Sequence, residues 1–383
     1  MVEGGLARHV RKLSEALVAL GVDVHVVTRG GGHLAAVEER HGVHVHRVRE
    51  PEYPKDDLNA FIRWVDAMNE DMERVGRDLC ERLRFDLVHS HDWLVAAAAR
   101  RLARRAELPW LVTVHATEYG RHQGWVDKHP QSHIHAVERT MVHRADHVVA
   151  CSDYMRGHVV DVFGLPERRV SVIPNGIDPL DLRPVDGDLD GMRRRFAAPD
   201  ERLVLLVGRL VYEKGFHIAL EALPGLIERL GKLRFIVAGS GTAEAELKLQ
   251  ARKLGLLEHG TFLGWIGDDV LHSLYRISDL CVIPSLYEPF GLVALEAMAS
   301  GCLCVVADTG GLREVVPDDA SVGLRFRARD PQSLATMVER VLTDPALRQR
   351  LVSRASEHVA RFDWADVGRR TAALYDELCG VAV

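Results

Sequence analysis

Long apolar runs, excess positive charge and a leader-like start are all missing from this 383-residue sequence. No run approaches the ~20 apolar residues that cross a bilayer, so we expect no transmembrane segment. The 49 Lys and Arg are outnumbered by 55 Asp and Glu, for a net charge of −6, which excludes a global basic field that attracts nucleic acid. The first five residues are neither basic nor markedly apolar, so we expect no signal peptide.

Cysteine pairs and metal-binding motifs are also scarce. The cysteines are scattered, which predicts buried free thiols in a reducing, cytoplasmic compartment: Cys80, Cys151, Cys281, Cys302, Cys304 and Cys379. In a strand Cys302 and Cys304 would share one face, but no second pair completes a zinc site. No HExxH pattern links the histidines of the first half, so we expect no metal site there: His122, His129, His133 and His135.

Short β-branched runs alternate with longer stretches of helical period, which is typical of a parallel sheet with crossover helices. Leu6, Val10, Leu13, Leu17 and Leu20 form the apolar stripe of a first helix. Strands are predicted at 22–27, 43–48, 86–90, 110–115, 147–151 and 170–173, and then at 203–207, 233–238, 260–263, 279–283 and 303–307.

A Pro-, Gly- and Asp-rich stretch at 174–199 interrupts this alternation and is predicted to be a linker with a solvated loop. We therefore expect an α/β protein of two doubly wound domains facing each other across a cleft. One comprises residues 1–178 with a returning helix at 362–383, and the other comprises residues 179–361. Open parallel sheets bind ligands beyond the carboxyl ends of their strands, so function is expected there.

Two glutamates follow the predicted strand at 279–283. Glu288 lies in a loop, and Glu296 lies on a helix expected to begin near Phe290 or Gly291. Eight residues span about 12 Å along a helix, more than the separation of glycosidase carboxylates. This spacing favours holding two ends of one long ligand. Taken alone, such a pair more often has no binding role: one glutamate lies at the surface before a helix and the other on the helix's polar face.

Two cations follow the predicted strand at 203–207. Arg209 and Lys214 lie in a glycine-flanked turn, where they could hold a diphosphate as it leaves. A helix-start loop with ordinary surface charges is the alternative.

Gly239 opens the segment Gly-Ser-Gly after the next strand. This segment begins like a dinucleotide fingerprint but has Glu244 at the position of the third glycine. It is better interpreted as a turn near a nucleotide.

In the first half of the chain, residues with side chains suited to catalysis or binding also follow predicted strands. The segments 89–93, His-Ser-His-Asp-Trp, and 115–121, His-Ala-Thr-Glu-Tyr-Gly-Arg, are both expected to project into the cleft. Gly4 and Gly5 stand at the start of the first helix.

Together these segments resemble glycosyltransferase family four, which has the GT-B fold and a retaining mechanism. The resemblance rests on the run from Glu288 to Glu296, the turn 208–215, and the segments 174–178 and 310–314. It covers nearly the whole chain in order. Residues 89–93 and 115–125 look closest to bacterial glycogen-synthase-like and mycobacterial-type α-glucan glucosyltransferases.

The resemblance implies a role for each matching residue. Glu288 and the amides of Phe290, Gly291 and Leu292 would hold the donor sugar, and Glu296 the ribose. Arg209 and Lys214 would bind the diphosphate, with Gly5 and Gly239 also on the donor side. His115 would lie beside the anomeric carbon, and Asp92 and Trp93 near the acceptor.

The implied reaction transfers a sugar, expected to be glucose, from a donor such as UDP-glucose or ADP-glucose to an α-glucan or similar carbohydrate. It needs no cofactor. Members of the family normally begin with a strand before the Gly-Gly turn, and we expect this strand to be missing here. That departure keeps a catalytically impaired nucleotide- or glycan-binding protein open as an alternative. A sugar-nucleotide epimerase of the same fold is another, whereas a phosphorylase lacks its lysine motif.

Overall fold

The computed structural model describes residues 4–31, 34–49 and 58–380. Contacts within the chain divide it into two compact units. The N-terminal unit comprises the described residues up to Gly176 together with those from Trp364 onward, and the C-terminal unit comprises Ile177–Asp363. The expectation of a missing strand ahead of Gly5 concerns residues outside the described part of the chain.

The N-terminal unit holds two sheets. One has three strands in the order β1-β3-β2, with β1 and β3 parallel and β2 antiparallel, and the other has four parallel strands in the order β4-β5-β6-β7. Its elements are α1 (Gly5–Ala19), β1 (His25–Arg29), β2 (Val37–Arg40), β3 (Val43–Val48), α2 (Leu58–Arg82), β4 (Val88–His91), α3 (Ala96–Ala106), β5 (Trp110–Val114), α4 (Glu118–Arg121), α5 (Gln131–Arg144), β6 (His147–Ala150), α6 (Asp153–Phe163), β7 (Val170–Val172) and, at the far end of the chain, a last helix (Trp364–Cys379).

This last helix packs on α1. Leu13 and Leu17 of α1 are buried in one apolar cluster with Trp364 and Leu374. These leucines recur on one face of the helix, and their burial is what the apolar stripe predicted. Leu20, which the stripe also included, follows the end of α1 and is exposed.

The C-terminal unit is built on one six-stranded, all-parallel sheet in the order β10-β9-β8-β11-β12-β13. Helices α8 and α13 pack against its core of buried aliphatic side chains. Its elements are α7 (Leu189–Arg194), β8 (Arg202–Val207), α8 (Phe216–Leu230), β9 (Leu233–Ala238), α9 (Glu244–Lys253), β10 (Gly260–Gly264), α10 (Asp268–Ile277), β11 (Leu280–Ile283), α11 (Leu292–Ala299), β12 (Cys304–Ala307), α12 (Leu312–Val315), β13 (Leu324–Phe326), α13 (Pro331–Thr343) and α14 (Pro345–Val359).

The strand order reverses beside β8. From β8 the chain runs outward through β9 and β10, then returns to the other side of β8 and runs through β11, β12 and β13. In open parallel sheets such a switch point leaves a crevice beyond the carboxyl ends of the two central strands. The loops that follow β8 and β11 therefore border the position where this sheet is expected to bind a ligand.

Several sequence-based expectations are wrong in detail. The linker at 174–199 is not wholly irregular, because α7 forms within it and Arg193 binds Asp279 at 2.8 Å. Strand β4 both begins and ends later than the predicted 86–90, so His89 lies within the strand and does not project from its end as part of the segment 89–93, as was expected. Both of its ring nitrogens are bonded there, to Thr113 and to Tyr375 of the last helix.

Candidate active site

The two loops at the switch point are joined through their backbones. The loop after β8 forms a short 3₁₀ turn at Tyr212–Lys214, and the carbonyl of Glu213 accepts a hydrogen bond of 2.8 Å from the amide of Leu286. Gly215 ends the turn at φ +67°, and a Cβ there would lie 2.0 Å from the carbonyl oxygen of Pro284. Only glycine fits this close approach, which fixes one loop against the other.

Lys214 and Glu288 meet at this junction. The Lys214 ammonium donates a hydrogen bond of 2.7 Å to Oε2 of Glu288, and the hydroxyl of Ser285 donates to the same oxygen at 3.1 Å. The side chains are 21% and 12% exposed. A partly buried ammonium suits a phosphate, and a positioned carboxylate suits sugar hydroxyls. The structure thus brings together two residues that the sequence placed in separate segments.

Arg209, the other predicted cation, stands further out. Its side chain is 60% exposed, and its guanidinium lies 3.6 Å from the carboxylate of Glu213. The backbone around it is nevertheless fixed, because the amide of Leu210 donates to the carbonyl of Ser240 at 2.9 Å. Gly239 has φ +136°, and a Cβ there would lie 1.9 Å from the carbonyl oxygen of Gly208. The loops after β8 and β9 are therefore in backbone contact.

Helix α11 begins beside Glu288, one or two residues later than predicted. Gly291 caps the helix at φ +122°, and the first amides of a helix, here including that of Leu292, have no partner within it. The side chain of Phe290 is buried, so only its backbone can serve a ligand. The amide of Gly311 donates to the carbonyl of Glu288 at 2.9 Å, which adds the loop after β12 to the site.

Glu296 lies on the same helix and is buried. The hydroxyl of Tyr275 donates a hydrogen bond of 3.0 Å to its Oε2. Burial, with the Glu296 charge as a second cause, raises the pKa of Tyr275 well above its usual value, so the phenol stays protonated and keeps donating. The tyrosine therefore orients the carboxylate.

In the N-terminal unit, Asp92 and His115 lie together at the ends of β4 and β5. Asp92 has φ +59°, a conformation uncommon for a residue other than glycine, and its Oδ1 accepts a hydrogen bond of 2.7 Å from the amide of His115. Burial raises the pKa of Asp92 to about 6. Burial also lowers the pKa of His115 well below the ordinary imidazole value, so this ring is neutral at pH 7.

The other two predicted site residues of this unit lie in elements other than β4 and β5. Trp93 begins a 3₁₀ turn after β4, where its half-buried ring packs edge-on against Phe61 at 6.1 Å. Gly5 is the first residue of α1, and the first turn of that helix carries no acidic side chain. Free amides at such a helix start favour an anion.

Two family models together match almost the whole chain. The family described as "Glycosyl transferases group 1" matches residues 191–358, and the family described as "Glycosyltransferase Family 4" matches residues 3–180. An uncharacterized glycosyltransferase of Methanocaldococcus jannaschii is 35% identical over 382 residues, covering 98% of this chain and 94% of the relative. The chain belongs to glycosyltransferase family four.

Further similarities agree with this assignment. A glycogen synthase of Mycobacterium tuberculosis is 38% identical over 391 residues, covering 98% of this chain and 91% of the relative. The solved structure of sucrose-phosphate synthase from Thermosynechococcus elongatus superposes with a TM-score of 0.84 at 26% identity, covering 99% of this chain and 94% of that one. The predicted GT-B fold of a family-four glycosyltransferase is thereby confirmed. None of the helices described for this glycosyltransferase is long and apolar enough to cross a membrane.

Three polar residues that bond to site residues or to their neighbours were not predicted from the sequence. Tyr275 and Ser285 hold the two glutamates, and the buried Glu138 accepts hydrogen bonds of 2.9 and 3.1 Å from the amide of Glu118. None of them belongs to a spacing pattern that predicts a site. Their roles follow only from which elements pack together.

Proposed function

We propose that this protein is a retaining glycosyltransferase that moves glucose from a nucleoside diphosphate sugar to an α-glucan or similar carbohydrate acceptor. The observation that carries the proposal is the contact between Lys214 and Glu288 at the switch point of the six-stranded sheet. It offers a cation and a carboxylate side by side, as a sugar diphosphate requires. The similarity to a glycogen synthase supports the choice of glucose and of a glucan.

On the donor side, Lys214 and Arg209 would bind the diphosphate. As the bond between the anomeric carbon and the phosphate oxygen breaks, negative charge develops on the leaving diphosphate, and a positioned cation stabilises it. Glu288 and the amides of Phe290, Gly291 and Leu292 would hold the sugar hydroxyls. Glu296, oriented by Tyr275, would accept hydrogen bonds from the ribose, and Gly239 would allow the backbone to approach the nucleotide.

On the acceptor side, we propose that the neutral ring of His115 contacts the donor sugar beside the anomeric carbon. A neutral imidazole donates or accepts a hydrogen bond there without opposing positive charge on the reacting sugar. Asp92 and Trp93 would contact the acceptor, and Gly5 the phosphates. The acceptor hydroxyl attacks from the face that the diphosphate leaves and gives its proton to the departing phosphate oxygen, so the new bond keeps the donor's configuration.

The proposal requires no resident cofactor, because the sugar nucleotide is itself a substrate. No disulfide joins the six cysteines, all of which lie in the described ranges. Reduced thiols are typical of proteins that work in a reducing compartment, which supports our proposal of a cytoplasmic location.

The test is thermal unfolding with UDP, ADP or GDP. A nucleotide at one hundred times its dissociation constant stabilises the folded chain by about 2.7 kcal/mol, which raises the melting temperature measurably. We expect one of the three to do so in the wild type. The shift should shrink in Lys214→Ala and persist in Lys232→Ala, since Lys232 pairs with Asp200 on the surface. A cooperative transition that none of the nucleotides moves would contradict the proposal.

A further inference from the structure

Three histidines from separate segments of the N-terminal unit converge on one point. His9 lies on α1, His91 ends β4, and His115 follows β5. One ring nitrogen of each lies within 4.8 Å of the corresponding nitrogens of the other two. His9 is buried, whereas His91 and His115 are half-buried. The cluster therefore lies largely inside the unit.

The spacing of two of these nitrogens matches metal coordination. Nδ1 of His91 lies 3.2 Å from Nε2 of His115, a separation at which the two nitrogens either share one hydrogen bond or both bind one metal ion. Two imidazole nitrogens bound to one zinc ion at 2.0–2.1 Å in tetrahedral geometry are about 3.3 Å apart. The ring of His9 meets that of His115 edge-on, with centroids 4.5 Å apart, and that of His91 at 5.3 Å. The third ring thus approaches the same point from another direction.

His9 supplies the observation that points to a ligand. Its Nδ1 lies 2.6 Å from Oδ1 of Asn175, an amide oxygen that only accepts, so Nδ1 carries the hydrogen. In the neutral ring Nε2 then holds a lone pair. This nitrogen is buried and has no hydrogen-bond partner in the described part of the chain. Buried polar atoms normally have partners, and a metal ion would provide one.

We propose that His9, His91 and His115 form a binding site for a divalent transition metal ion. Imidazole ligands suit Zn²⁺, and three protein ligands leave the fourth position for water or another ligand. Asn175 has the place of an outer-sphere partner, because metal-bound histidines commonly donate their second N–H to an oxygen. His115 is also the residue proposed to contact the donor sugar, and a metal ion at its Nε2 would leave Nδ1 to donate that hydrogen bond. The metal site goes beyond glycosyl transfer, and its test does not measure activity.

A second cluster in the same unit provides a matched control. The Oδ1 of Asp23 lies 3.5 Å from Nε2 of His25 and 3.7 Å from Nε2 of His44. Here the carboxylate is 76% exposed and already neighbours both imidazoles. Replacing His25 removes one imidazole from the unit, as replacing His91 does, but leaves the three-histidine cluster intact.

The experiment titrates the full, chelator-treated chain with Zn²⁺ by calorimetry and with Co²⁺ by visible absorption, since tetrahedral Co²⁺ absorbs far more strongly than octahedral Co²⁺. We expect one site with a tetrahedral Co²⁺ spectrum in the wild type and in His25→Gln. His91→Gln should lose the spectrum and weaken Zn²⁺ binding by more than about 100-fold, and Asn175→Ala should weaken it by about 10–100-fold. Circular dichroism checks that each variant is folded.

Two results would overturn the proposal. One is a wild-type chain without a tetrahedral Co²⁺ spectrum, a result that does not depend on how any variant folds. The other is a site lost in folded His25→Gln but retained in folded His91→Gln, which would assign the metal to the cluster around Asp23. If His91→Gln does not fold, His9→Gln replaces it, with the same expected loss.

Discussion

Nζ of Lys214 lies 2.7 Å from Oε2 of Glu288, across the point where the strand order of the C-terminal sheet reverses. One residue follows β8 and the other follows β11, and the two loops are joined by backbone hydrogen bonds and by the close approach at Gly215. A ligand that engages both side chains therefore meets preformed geometry. The contact also couples them, since each changes the charge that the other presents.

Replacing Glu288 by glutamine separates its effect on sugar transfer from its effect on the charge of Lys214. We expect kcat for sugar transfer to fall by about 10²-fold or more, because the carboxylate proposed to hold the sugar is lost. Affinity for the nucleoside diphosphate should stay the same or rise, because Lys214 is no longer partly neutralised. Steady-state kinetics and calorimetry measure the two quantities. Near-normal turnover in a folded Glu288→Gln protein would remove the residue from the mechanism.

Lys214→Ala is expected to weaken nucleoside diphosphate binding by about 1.5–3 kcal/mol, the usual contribution of a hydrogen bond to a charged group. Lys232→Ala makes the same change of net charge at the surface of the same unit and should leave binding unaltered. Calorimetric titration of both variants gives the comparison. Equal weakening by the two substitutions would mean that overall charge, and not contact with the diphosphate, sets the affinity.

Gly239→Ala is expected to destabilise the C-terminal unit. The residue has φ +136°, and an added Cβ would meet the carbonyl oxygen of Gly208 at 1.9 Å. The backbone strain alone costs about 1–3 kcal/mol. Gly225→Ala, inside α8 and near only the end of the Arg229 side chain, is the control and should be neutral or slightly stabilising. Denaturant unfolding that gave equal stabilities for the two variants would refute this explanation.

Glu138→Gln is expected to change the pH dependence of stability. Burial raises the pKa of Glu138 from 4.5 to about 8, so the folded state keeps a proton that the unfolded state releases. Its contribution to the free energy of unfolding is present below pH 4.5 and lost as the pH rises through about 8, by at most about 1.4 kcal/mol per pKa unit. The neutral amide avoids this loss.

Guanidinium unfolding at pH 5 and pH 8 checks the Glu138 prediction. The stability of Glu138→Gln relative to the wild type should increase between the two pH values. Changes of equal size in both proteins would show that Glu138 does not titrate in this range.

The sequence predicted most of the fold because buried parallel strands are continuous apolar runs. Leu233–Ala238 was predicted at its observed bounds as β9. Val37–Arg40 was missed because this short edge strand carries three charged residues, and Leu324–Phe326 because it has only three residues. Short edge strands owe their conformation to the strand beside them, which local periodicity does not reveal.

The candidate site was predicted as residue types at strand ends, without their contacts. Lys214 and Glu288 meet because β8 lies beside β11, a neighbour far along the chain. The convergence of His9 with His91 depends likewise on how α1 packs over the sheet. The amphipathic pattern assigns His9 only to a helix, and no spacing rule links it to the other two histidines. Strand ends can be found from the pattern of residues along the sequence, whereas contacts between residues far apart in the chain leave no such pattern.

Glycosyl transfer itself is measured by incubating the folded protein with UDP-glucose or ADP-glucose and an α-glucan, and following both nucleoside diphosphate release and the configuration of the new bond. We predict release that depends on the acceptor, an α-linked product, and loss of both in Glu288→Gln. A folded chain that binds a nucleoside diphosphate but turns over neither donor, or one that makes a β-linked product, would contradict the account.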